Sequence, residues 1–106
     1  MLKSYNFTKK DEINSVSATP LQKAKGEVIT LKGAAITTRP DENGEETEVA
    51  LLSTVEHGMM SGISATAIKS LNLIIDYMEE VQEDIEVKIK AETSLAGREF
   101  ITLEII

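Results

Sequence analysis

Cysteine is absent from this chain, which removes disulfides, thiolate metal sites and a cysteine nucleophile at once. Tryptophan is absent too, and the only aromatic residues are Tyr5, Phe7, Tyr77 and Phe100, so any surface that stacks flat rings must be built from very few of them. The longest apolar run, Val49-Ala50-Leu51-Leu52, is far short of the roughly 20 residues that cross a bilayer. The polar start Met1-Leu2-Lys3-Ser4-Tyr5-Asn6 reads as neither a secretion signal nor an anchor. His57 is the single histidine and has no second histidine or cysteine to complete a metal site beside Glu56. No nucleophile stands in a recognisable setting, no glycine-rich loop joins a strand to a helix, and the carboxylates are spread rather than paired. These absences predict a non-catalytic, cytoplasmic protein with no cofactor, no small-molecule substrate and no membrane partner.

What is present fits one folded domain. Hydrophobic residues make up 42% and charged residues 27% of 106, enough for a modest core and unlike a disordered chain. The net charge is −7. It is unevenly placed: Lys3, Lys9, Lys10, Lys23, Lys25, Lys32 and Arg39 face only Asp11, Glu12 and Glu27 in the first 39 residues. The remainder has only Lys69, Lys88, Lys90 and Arg98 against 15 acids. Such asymmetry permits a local basic groove on an acidic protein.

Alternation over Leu2–Thr8 predicts an extended segment with Lys3, Tyr5, Phe7 and Lys9 on one face. A short strand is expected near Ile13–Ser17, followed by a turn, within an N-terminal arm of residues 1–22. Glu27–Thr38 is rich in Val, Ile and Thr, with Gly33 at a point where a strand bends through a bulge. Pro40 and Asn43-Gly44 set a turn into a partner strand, Glu46–Thr54. The two glycines of Glu56–Ile63 predict a loop, and Ser64 is placed to cap a helix over Ala65–Gln82, where Ile68, Leu71, Ile74, Ile75, Met78 and Val81 recur at helical spacing. Ile85–Ala91 alternates cleanly, Ser94–Gly97 supplies a turn, and a last strand puts Ile101, Leu103 and Ile105 on one face. The sum is a mainly β, α+β chain with one helix, in the order β-β-β-α-β-β. That is the layout of a five-stranded oligonucleotide-binding (OB) barrel.

On Gly26-Glu27-Val28-Ile29, Glu45-Glu46-Thr47-Glu48-Val49, Ser61-Gly62-Ile63-Ser64, Ile85-Glu86-Val87-Lys88-Ile89-Lys90 and Phe100-Ile101-Thr102-Leu103, the chain resembles the single-stranded DNA-binding proteins of small tailed phages of Gram-positive bacteria that prime replication with a protein. The resemblance covers about the last three quarters of the chain through element order, spacing and scattered matches. It implies a protein that coats displaced single strands during phage genome replication, without sequence preference.

The residues suggest where such a strand could lie, because single-strand binders combine cations for phosphates with rings for bases. Phe100 alternates away from the Ile101 face together with Arg98, and Lys88 and Lys90 point the same way from the preceding strand. Either this is a ring flanked by cations, or Phe100 is a second core contact. Lys3, Tyr5, Phe7 and Lys9 form a second stripe, which serves as a platform, packs into the barrel, or docks on a neighbouring copy in self-association. Lys32 and Arg39 complete the candidate set. A different class also fits: a small acidic interaction or inhibitor module that uses its carboxylates to hold a basic partner or to mimic nucleic acid.

Overall fold

In the computed structural model, which describes Met1–Ile106, the chain runs β1 (Lys3–Tyr5), α1 (Lys9–Asn14), a 3₁₀ turn (Ser15–Ser17), β2 (Thr19–Pro20) and a second 3₁₀ turn (Leu21–Ala24). It continues through β3 (Val28–Pro40), β4 (Glu46–Thr54), β5 (Gly58–Gly62), α2 (Ala65–Val81), β6 (Ile85–Thr93) and β7 (Glu99–Ile105). The protein is mostly β with two helices, and its mixed seven-stranded sheet curls into a half-barrel in the order β2-β5-β4-β3-β6-β7, with β1 added to β3. The single parallel pair is β2 with β5.

The long strand β3 holds the two halves of the sheet together. One edge pairs with β4 from Leu31 to Pro40, while the other pairs first with β6 over Val28–Leu31 and then with β1 over Ala34–Ile36. The register shift between Leu31 and Gly33 is the expected bulge, and it lets one strand serve two partners on the same edge. Helix α2 fills the hollow of the curl. Leu71, Ile75 and Met78 are fully buried against Ile29, Leu31, Ala34, Leu52 and Val87, each side chain contributing about 1.5–3 kcal/mol of burial. The helix stops where Gln82 takes a left-handed conformation and its N–H bonds to the Met78 carbonyl at 2.8 Å.

The N-terminal segment departs most from its sequence pattern. Only three residues of Leu2–Thr8 are strand, because Asn6 adopts a positive φ of 46° and turns the chain. Tyr5 therefore packs on the main core, whereas Phe7 packs on the opposite face of the sheet, over Ala35, Val49 and Leu51. Gly33 makes this crossing feasible: a Cβ there would collide with the Asn6 carbonyl oxygen. The single-faced stripe of Lys3, Tyr5, Phe7 and Lys9 is thus corrected, since its rings face opposite ways and Lys9 lies on a helix. The strand expected near Ile13–Ser17 is also corrected. Thr8 and Asp11 form a reciprocal capping box that starts α1, and a 3₁₀ turn follows it. The Glu56–Ile63 loop is in part a strand, β5, paired with β4 from Ala50 to Thr54 and carrying buried Met60. Its glycines do not break it; Gly62 provides the space that the Leu21 side chain fills. Seven strands and two helices therefore replace the expected five and one.

Candidate nucleic-acid interface

The half-barrel is open between its edge strands β7 and β2, and a cleft of about 550 Å³ lies along this seam, bordered on the β2 side by Pro20, Leu21 and Gln22. Phe100, Arg98 and Ser94 form one wall from the β6–β7 hairpin, while Ser61, Gly62 and Ile63 form the other from β5 and its exit. Helix α2 begins at the cleft. Ser64 occupies the N-cap position as expected, but its hydroxyl does not cap the helix: it donates to the Ile101 carbonyl at 2.9 Å, and Thr66 Oγ1 donates to the same oxygen at 2.6 Å. These hydroxyls satisfy an edge carbonyl of β7 and fix the helix start across the seam. Arg98 is exposed and makes no ion pair, and its backbone N–H is held by Ser94 Oγ at 3.2 Å. Phe100 is half-buried, with Glu92 directly opposite on β6.

The other predicted residues do not gather around this ring. Lys88 is exposed with Glu104 opposite it, and Lys90 sits between Glu104 at 3.4 Å and Glu92 at 3.5 Å. The Glu104 carboxylate, followed by its hydrogen bond and those from Glu92, holds the Lys90 ammonium above its ordinary pKa. Lys3 is bound to Asp76 of α2 at 2.6 Å. Arg39 uses its guanidinium on the backbone and hydroxyl of buried Ser15, which clamps the turn after α1 to the sheet. Lys9 is exposed near Glu12 at 3.7 Å. Lys32 is exposed at the bulge, where its carbonyl accepts from Asn6 Nδ2 at 3.0 Å. Tyr5 and Phe7 serve the two cores. Of the named residues, Arg98 and Phe100 alone share the cleft.

Glu56 and His57 are a structural latch. Glu56 accepts from the Thr30 N–H at 2.7 Å and from its hydroxyl at 2.9 Å, and the backbone bond leads in lowering its pKa below the ordinary value. His57 Nε2 meets Glu27 at 2.8 Å. Together they tie the β4–β5 turn to the start of β3. No group of three or more His, Asp or Glu side chains is placed to hold a metal ion.

Sequence reasoning missed Ile63. It is 71% exposed and lines three depressions at once: the seam cleft, a second of about 640 Å³ between the β3–β4 hairpin and α2, and a third beside the hairpin turn at Pro40–Asn43. Its signal was an apolar residue between Gly62 and the helix-capping position Ser64, hidden because that stretch reads as a loop. Lys69 and Asn72, on the wall of the second depression, were missed because they fall on the polar side of a helix pattern. Comparison with family models, with curated proteins and with solved structures finds no match to any of them. No helix is long and apolar enough to cross a membrane.

Proposed function

We propose that this protein is a non-catalytic, sequence-independent single-stranded DNA-binding module of OB-like architecture, of the kind that coats displaced strands during phage genome replication. The observation that carries the reading is the path β3-β4-β5-α2-β6-β7. Its first strand pairs with its second along one edge and with its fourth on the other, and a helix bridges the third and fourth. In an OB barrel, oligonucleotides lie on strands two and three between the loop joining strands one and two and the loop joining four and five. Those parts correspond to β4, β5 and the turns at 41–45 and 94–98; two of them, the end of β5 and the 94–98 turn, line the seam cleft, which supports a strand lying beside Phe100 and Arg98. Phe100 offers a ring for one base and Arg98 an unpaired cation for a phosphate. Within the N-terminal arm Phe7 closes the back of the sheet, while Leu2 and Lys3 border the depression beside α2 and Pro20, Leu21 and Gln22 border the seam cleft.

One observation favours the acidic interaction module as a second reading. Lys3, Lys9, Lys25 and Lys90 are held by carboxylates of the same chain, which takes four of the eleven cations out of play on a protein whose net charge is already −7. Anisotropy of a labelled oligothymidylate, titrated at low and moderate salt with an equal-length duplex as control, separates the two. Salt-sensitive binding that prefers the single strand is expected; no binding to either probe at low salt would transfer the weight to the acidic module.

A further inference from the structure

We infer that a bound single strand does not end in the seam cleft but continues over Ile63 into the depression between the β3–β4 hairpin and α2, where Lys69 and Asn72 form a second nucleotide subsite. This rests on the single-strand reading above and gives the strand a direction. Ile63 and Ala65 line both the seam cleft and the second depression, so the two are one continuous surface bent over an exposed apolar side chain. Leu2, Ile36 and Ile68 supply an apolar lining for a base. On the helix wall, Lys69 is exposed with no carboxylate within 4.0 Å, unlike Lys3 on the same depression, which is bound to Asp76. Asn72 adds an amide that can donate to and accept from any base edge.

The third depression also touches Ile63, but it is the poorer exit. Its charged lining is Asp41, Glu42 and Arg39, and the guanidinium of Arg39 is already committed to Ser15. A phosphate there would meet two carboxylates and no free cation. In the second depression Glu46 and Glu48 stand on the hairpin wall and Lys69 on the opposite, helix wall. The backbone of the strand is therefore expected along α2, with its bases toward Ile63 and Leu2.

The test compares oligothymidylates of about 5 and about 15 nucleotides, lengths near the ends of the range one OB fold covers. The wild type should bind the longer probe more tightly than chain statistics alone allow. Lys69→Ala should weaken the longer probe, reduce its salt slope by about 0.7 and leave the shorter probe unchanged. Ile63→Ala should weaken the longer probe at every salt concentration. Lys69 is exposed, so its variant is expected to fold, and an unchanged thermal melt checks this. If wild type binds both probes and Lys69→Ala alters neither, the subsite is refuted while the seam cleft stands. If neither probe binds wild type, the single-strand reading itself fails.

Discussion

The hairpins β3–β4 and β6–β7 are both antiparallel and rich in β-branched residues, yet the first is buried on both faces and the second on one. In β3–β4, Ala34, Ile36, Ala50 and Leu52 face α2, while Ala35, Val49 and Leu51 are covered on the other side by Phe7. In β6–β7, Ile85, Val87, Ile89, Ile101 and Leu103 face the core, and the reverse face is a lattice of Lys88, Lys90, Glu92 and Glu104 open to water. The cause is the N-terminal segment, which crosses the sheet at Gly33 and covers only one hairpin. The consequence is functional. The outer face of β3–β4 at Ala35, Val49 and Leu51 is occupied by the chain itself, so the proposed reading leaves a strand the seam cleft and the depression between this hairpin and α2.

The largest test is to stop the crossing. Gly33→Ala places a Cβ against the Asn6 carbonyl, so either the bulge or the arm must move, and overpacking of this sort costs about 1–3 kcal/mol. Urea unfolding should show the loss, and amide exchange should quicken at Ala35, Val49 and Leu51 before it does in β6 or β7. Uniform quickening across both hairpins would mean that the arm is not what separates them.

A pair of ring deletions sharpens the contrast. Phe7→Ala should destabilise by about 1–3 kcal/mol, a half-buried fraction of the usual phenylalanine truncation, while the folded protein keeps its single-strand affinity. Phe100→Ala should do the reverse: a smaller stability change, with about 1–3 kcal/mol lost from binding if one base stacks on it. Calorimetric melting beside anisotropy reads both. Equal destabilisation by the two variants, with binding unaffected, would make Phe100 a core residue and remove the platform.

The same contrast explains what could be read from the amino-acid sequence. The alternation of Ile85 to Ala91 and of Phe100 to Ile105 is legible because one-sided burial writes a period of two. So are α2, from its helical spacing, and the bulge at Gly33. In β3–β4 the run Val49-Ala50-Leu51-Leu52 carries no alternation, and its meaning, a strand covered on both faces, depends on a distant segment. That segment was misread because Tyr5 and Phe7 alternate on paper, and nothing local announces that Asn6 turns left-handed. β5 escaped because Gly58 and Gly62 look like punctuation, although Gly62 makes room for Leu21. As to the site, Arg98 and Phe100 could be named from their strand face. The pairing of Lys88 and Lys90 with acids could not, because it depends on the register that sets Glu104 opposite Lys88 and Glu92 opposite Phe100.

The smallest predicted effect lies in that charged lattice. Lys90 is raised in pKa chiefly by Glu104, so folding gains from its ammonium at any pH below the ordinary lysine value. The gain disappears as pH rises through the raised, folded-state value. Stability should therefore show a shallow alkaline decline, and Glu104→Gln should flatten it while lowering neutral-pH stability by the same amount, which is small because the pair is exposed. The same variant leaves Lys90 with only Glu92 and removes a carboxylate from the face beside the seam. If a single strand approaches from the flank of β6–β7, its affinity at low salt should rise. An alkaline decline that flattens without any gain in affinity would confine the lattice to stability and leave Arg98 as the working cation of that hairpin.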